Sequence, residues 1–387
     1  MLDEKELERA IEHIVARFDE VNTYYITKVA EQVRKIGELN PTSIHRITVM
    51  TEMGASITDI TQRLQLATNM SIREVMQLYQ TALNDTYTDP RFRRALQHTE
   101  LTPADRARLT QYVQAVSVQT ARQIVNLSNT TAISAPYRET VDRAVLAVSS
   151  GLTDHRSATR QSIRELGHNG MQVQYESGYQ RRLDTAIRQN IIDGTNQIAQ
   201  HCSLMMGEAL GYDAVEISAH ARSAPDHEPV QGRVFLKAEF ERMQSGLPFQ
   251  DVDGRQYEAF RRPIGEWNCN HIAMSFSTRH SVRRYTDQQL EQWAADNDKG
   301  CEIGGKHYTT YAASQLMRKI ETEIRREKDA AVAAQKAGDN VLRRECQERI
   351  NALSREYTAV AAASGVSQRR ERMMVEGFRA VKLKTNT

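Results

Sequence analysis

Residues Leu7–Ile36, LERAIEHIVARFDEVNTYYITKVAEQVRKI, decide the fold class. Leu7, Ile11, Ile14, Phe18, Val21, Tyr25, Val29, Val33 and Ile36 recur at three- and four-residue steps, with charged residues filling many of the positions between. That spacing puts one apolar stripe along a helix of about eight to ten turns, and the stripe needs a partner to cover it. A helix of this length at the start of the chain predicts a mainly α protein.

The pattern persists outward from there. A second helical block follows Gly37–Pro41, and Ser71-Ile-Arg-Glu74 has the form of a capping box opening a third helix. Thr102-Pro103-Ala104-Asp105 supplies a hydroxyl cap, a proline at the first helical position and an acid in the first turn. Further helices are expected over about 141–148, 154–167 and 175–210, the last with an interruption near Gly194. Runs of β-branched residues alternating with period two are few in the first two hundred positions, which argues against sheet there.

Bulk properties fit this reading. The chain has 387 residues, 40% hydrophobic but only 6% aromatic, and its mean hydropathy is −0.59. Such a composition suits an elongated helical protein with much solvated surface. The formal charge of +2 points to no nucleic-acid partner in bulk, so any such role needs a local patch. No run of 18 apolar residues is present, and the N-terminus lacks the basic-then-apolar order of a secretory signal. The four cysteines, Cys202, Cys269, Cys301 and Cys346, are spaced irregularly, which suits synthesis in a reducing cytosol.

After Gly211 the periodicity changes. Tyr212–Ile217 reads as a strand, Gly232–Leu236 holds another short apolar segment, and Phe249–Phe260 reads as two short strands around an Asp253-Gly254 turn. The densest cluster of Pro and Gly surrounds them. The organisation expected is a helical N-terminal region over 1–100 and a helical domain over 101–210. A small loop-rich α+β domain over 211–300 and basic C-terminal helices over 301–387 complete it. The small domain has a thin core and calls for a staple beyond its own apolar residues.

That domain also gathers the chain's reactive side chains: His220, Arg222, His227, Gln231 and Gly232 in one stretch, then Trp267, Asn268, Cys269 and His271. Three readings are open. His220, His227, Cys269 and His271 have the atom types for one zinc ion, although Cys-x-His is tighter than the usual ligand gap; His201 or Cys202 could replace one of them. A nuclease or hydrolase centred on His220 and His271 is the second. The third is a metal-free polar network in which His220, Arg222 and Asn268 satisfy backbone groups, Trp267 and Phe276 form a small core and Gly232 permits a tight turn. The thin core favours a structural role over chemistry, and no catalytic residue is assigned.

The motif carries a resemblance. Ile217-Ser-Ala-His220-Ala-Arg222, Pro225, His227, Gln231-Gly232-Arg233 and Trp267-Asn-Cys269-Asn-His271 with Phe276 resemble the phage minor capsid protein 2 family, related more loosely to Mu F-type head morphogenesis proteins. Tyr175, Arg182, Arg188 and Gly194-Thr-Asn-Gln197 before it, and Thr286-Asp-Gln-Gln-Leu290, Tyr311 and Arg318–Arg326 after it, extend the likeness over most of 130–380. The chain departs from the family pattern at Ala221-Arg-Ser-Ala224 and at the shortened Pro263-Ile-Gly265-Glu266. The resemblance implies a minor head protein of a tailed phage or prophage, made in the host cytoplasm and then held in the virion head near the portal vertex. Its implied partners are the portal protein and the major capsid or other head proteins, with roles in head assembly and in DNA packaging or ejection. No cofactor is required on this reading, beyond the structural zinc already raised.

The C-terminal segment from 302 holds 17 Lys and Arg against 11 Asp and Glu. Tyr308–Ala337 and Val341–Ala363 read as two long helices separated by Gly338-Asp339-Asn340, hence a helical hairpin. Arg318, Lys319, Arg325, Arg326, Lys328, Arg343 and Arg344 are candidates for non-specific contacts to phage DNA phosphates. Interleaved Glu321, Glu323, Glu327, Glu345 and Glu348 favour an ordinary solvated face instead.

Overall fold

The computed structural model describes residues 4–38, 43–89, 92, 96, 100–149, 155–260, 262–265 and 269–383, and 68% of it is helical. The stripe of the first stretch does become one helix, α1 (Glu4–Glu38), and from Ile11 onward every residue of that stripe is buried. Helix α2 (Ser43–Thr88) differs from expectation: it runs unbroken through Ser71–Glu74. No proline lies between Pro41 and Pro90, and Ser71 is wholly buried rather than placed at a solvated helix start.

The remaining helices are α3 (Pro103–Asn129), α4 (Ser134–Ser149), α5 (His155–Asn169), α6 (Leu183–Ala209), α7 (Lys237–Gln244), α8 (Asp287–Lys299), α9 (Thr310–Ala337) and α10 (Asn340–Ser364). The Thr102 cap holds, with the Asp105 amide donating to its hydroxyl at 3.1 Å. Gly194 does not interrupt α6. A Cβ there would lie 1.9 Å from the Tyr79 hydroxyl oxygen and 2.9 Å from Thr120 Oγ1, so the glycine marks close packing rather than a break.

The chain divides into two compact units. The first comprises Met1–Ile11, Ile72–Ile124 and Arg188–Ala312; the second comprises Glu12–Ser71, Val125–Ile187 and Ala313–Thr387. No described helix is long and apolar enough to cross a membrane.

In the second unit, β1 (Thr131–Ala132), β2 (Gln172–Gln174) and β3 (Gln180–Arg182) form an antiparallel sheet where none was expected. Strands of two or three residues are too short to show period two. Tyr175, expected to open α6, instead begins a turn closed by its amide on the Tyr179 carbonyl at 3.0 Å, with Gly178 at φ +80°. The α9–α10 hairpin is present. Gly338 turns it at φ +75°, Asp339 accepts from the amides of Val341 and Leu342, and Tyr357 of α10 donates to Glu321 of α9 at 2.7 Å. Close approach of α5 to α9 depends on small residues: a Cβ on Gly167 would lie 2.3 Å from Ala330 Cα.

In the first unit, β4 (Ala214–Ile217) is the centre of a three-stranded antiparallel sheet between β5 (Val234–Leu236) and β8 (Ala273–Phe276). The expected hairpin forms as β6 (Phe249–Gln250) and β7 (Gln256–Tyr257), with Gly254 at φ +85°. A second hairpin, β9 (Cys301–Ile303) with β10 (Lys306–Tyr308), follows α8. The core between sheet and α7 holds Val215, Ile217, Val230, Phe235, Phe240, Met243, Phe249, Ile264 and Ala273. Strand β8 would expose an unpaired edge, but α6 covers it: the amides of Ala273 and Ser275 donate to Gln200 Oε1 at 2.9 Å and Ser203 Oγ at 3.0 Å. Gly207 allows that approach, since a Cβ there would lie 2.1 Å from Ser275 Oγ.

Candidate metal centre

Sheet order brings the two halves of the motif together. Because β4 and β8 are antiparallel neighbours, the chain leaves β4 at the same end where it enters β8. Ser218 closes that end: its amide donates to the Ile272 carbonyl and its hydroxyl accepts from the Ile272 amide, both at 2.9 Å. The loop carrying His220 and His227 therefore faces the loop carrying Cys269 and His271.

Inside this junction, Cys269 Sγ lies 3.3 Å from His227 Nδ1 and 3.7 Å from His271 Nδ1. One ligand atom from each of these three residues falls within 4.8 Å of the other two. All three are buried, at 0% exposure for His227, 1% for His271 and 2% for Cys269. His220, the fourth candidate, instead stacks its ring on that of His271, with centroids 4.5 Å apart and planes 22° from parallel.

Partners outside the triad fix its orientation. His227 Nε2 meets the Arg262 carbonyl at 2.8 Å, and His271 Nε2 meets Ser223 Oγ at 3.2 Å. The Arg262 guanidinium is itself held by both oxygens of Asp226. Asn196 of α6 donates its side-chain amide to the Cys269 carbonyl at 3.0 Å, and the His271 amide points at Cys269 Sγ at 3.4 Å. Burial holds both imidazoles neutral, pushing His227 down and His271 down to about 2, with His220, His227 and Arg262 adding to the latter. Burial likewise raises the Cys269 thiol. A buried neutral thiol beside neutral imidazoles lacks the preformed thiolate of a hydrolytic Cys–His pair.

The other motif residues fall into place around it. Gln231 Oε1 accepts from the His220 amide at 3.1 Å. Gly232 sits at φ +67°, where a Cβ would lie 2.8 Å from both methyls of Leu290. Arg222 is exposed. Trp267 and Asn268 lie outside the described residues, while Phe276 packs with Ala214 and Val234. His201 stacks on Tyr112 and Cys202 is buried elsewhere on α6, its thiol pushed up to about 12 by burial. Ser223, Arg262 and Asn196 were not singled out from the sequence. Only Asn196 had a signal, through its place in Gly194-Thr-Asn-Gln197.

The basic tail is less outward-facing than its sequence suggests. Arg325 pairs with Asp19 at 2.5 Å and Asp184 at 2.6 Å. Lys328 donates to the Met373 carbonyl at 2.6 Å and sits over the Phe378 ring. Arg326 pairs with Glu323 at 2.8 Å, and Arg343 donates to the Arg379 carbonyl at 3.1 Å. Arg318, Lys319 and Arg344 are exposed.

Comparison with known proteins returned one family. The model for phage minor capsid protein 2 matches residues 2–361. No curated protein and no solved structure matches the chain.

Proposed function

The chain belongs to the phage minor capsid protein 2 family, and from that membership we propose that it acts at the portal vertex of the phage head. On this reading it binds the portal protein, contacts other head proteins, and assists head assembly and DNA packaging or ejection. The observation that carries the reading is the extent of the match: residues 2–361 reach through the first compact unit and most of the second, so the family shares nearly the whole chain rather than one local motif.

Two features support action through surfaces. The His/Cys cluster is sealed at 0–2% exposure, closed to a substrate. On α2, Leu66 and Met70 lie one turn apart and are 63% and 42% exposed, apolar area of the sort that interface cores recruit. Tail arginines as DNA ligands gain no support from Arg325, whose charge faces two aspartates.

Co-expression with the cognate portal protein tests the reading. The wild-type chain is expected to co-purify with portal assemblies and to be present in purified virions. Leu66→Glu with Met70→Glu is expected to lower portal retention while leaving thermal unfolding unchanged. Absence of the chain from virions, or a portal that never retains it, would overturn the proposal.

A further inference from the structure

The triad presents a proton-counting problem. A carbonyl oxygen only accepts, so His227 Nε2, 2.8 Å from the Arg262 carbonyl, carries the ring proton and donates it. His227 Nδ1 therefore holds a bare lone pair, and it faces Cys269 Sγ at 3.3 Å. The Ser223 hydroxyl lies 3.2 Å from both the Ala224 carbonyl and His271 Nε2; with its proton directed to that carbonyl, its oxygen accepts from His271 Nε2. That leaves His271 Nδ1 with a second lone pair, also facing Cys269 Sγ, at 3.7 Å.

Two imidazole lone pairs and one sulfur thus converge in a buried site, and the thiol has a single proton to share. The backbone amide of His271 also points at the sulfur, at 3.4 Å. One hydrogen bond satisfies one nitrogen and leaves the other lone pair buried against sulfur, an arrangement that costs free energy. A cation at the centre removes the conflict.

We propose that His227 Nδ1, Cys269 Sγ and His271 Nδ1 bind one zinc ion that staples the 218–232 loop to the 262–272 loop. The distances fit. Zn–S near 2.3 Å and Zn–N near 2.0–2.1 Å at tetrahedral angles place sulfur about 3.6 Å from each nitrogen, and the observed separations of 3.3 and 3.7 Å bracket that value. Binding displaces the Cys269 proton to solvent and forms a zinc–thiolate bond. Arg262, Ser223 and Asn196 are the outer partners that hold the ligands in orientation. His220, stacked on His271, is the nearest further imidazole for the remaining tetrahedral position.

The experiment is metal analysis of the full-length chain, purified without a polyhistidine tag from zinc-supplemented cells. Stoichiometric zinc is expected, and replacement by cobalt(II) is expected to give a thiolate-to-metal charge-transfer band. Cys269→Ser and His271→Ala should lose both signals, whereas Cys301→Ser should keep them. Should the variants fail to fold, wild-type protein stripped by chelator and titrated with zinc provides the readout: its melting temperature should rise and saturate at one equivalent. Folded wild-type protein that neither contains nor takes up zinc would overturn the proposal. Zinc retained in both Cys269→Ser and His271→Ala would do the same.

Discussion

Each compact unit buries a cluster of polar side chains, and the two clusters solve the same physical problem in opposite ways. In the second unit, Arg182 and Arg325 meet Asp19, Asp184 and Asp329, with Arg182 donating to Asp329 at 2.9 Å and Asp184 at 3.2 Å. Opposite charges pair with one another inside the protein. In the first unit, His227, Cys269 and His271 bring three possible ligand atoms within 4.8 Å of one another and no pair of opposite charges. One cluster is held together by charges of the chain alone; on the zinc proposal, the other is held together by an ion. Buried polarity by itself therefore does not mark a site. What marks one is a set of buried donors whose mutual needs the chain does not meet.

Breaking the ionic cluster should give the largest effect. Arg325→Met removes the charge shared by Asp19 and Asp184 and leaves carboxylates buried without it. A loss of about 3–5 kcal/mol in urea unfolding is expected. Zinc content should be unchanged, because no metal ligand is touched. Stability equal to wild type would mean that the arginine's partners find water instead, and the comparison would lose one of its sides.

Removing the proposed ion from the other cluster should come next. With free zinc a hundredfold above its dissociation constant, binding contributes about 2.7 kcal/mol. Chelator should therefore lower the melting temperature of the wild-type chain and leave that of Cys269→Ala where it is. Equal sensitivity in both proteins would place the metal elsewhere.

The two clusters were unequally legible in the sequence. Cys269 and His271 sit two residues apart, and the strand pattern at Val215 and Ile217 already hinted at the β4 that positions their loop. The stacking of His220 on His271 left no trace, since spacing carries no information on which face of a ring a neighbour takes. The ionic cluster was invisible. Arg325 lies among Arg318, Lys319, Arg326 and Lys328, where local charge reads as a basic surface, and its partner Asp19 is 306 residues away. Helix periodicity reported α1, α9 and α10 well because it is local. The β1–β3 sheet, built from strands of two or three residues, left no periodic trace.

His220 sharpens the metal side at smaller scale. Its ring lies flat against that of His271, so His220→Ala removes a support and the nearest candidate for the fourth position. Zinc affinity should fall about tenfold, the lower end for loss of an outer partner, as read by competition with a chromophoric chelator. Complete loss of zinc would make His220 a ligand outright.

The ionic cluster should betray itself by a pH dependence of opposite origin. Three aspartates face two arginines, so full ionisation leaves one buried negative charge in excess, and a proton can relieve it. Asp19 takes that role: burial pushes its carboxyl up to about 7, with Asp184 and Asp329 adding and Arg325 and Arg182 opposing. A carboxyl raised in the folded state contributes stability that is fully present below its ordinary value near 3.8 and is lost as pH rises through about 7. Asp19's side chain is 25% exposed, which screens the effect to about 1 kcal/mol. The melting temperature of wild-type protein should thus decline between about pH 4 and about pH 7. Asp19→Asn, neutral at every pH, should flatten that decline without altering zinc content. A slope that survives the substitution would assign the proton to another member of the cluster, with Asp329, raised by burial in the same way, as the next to replace.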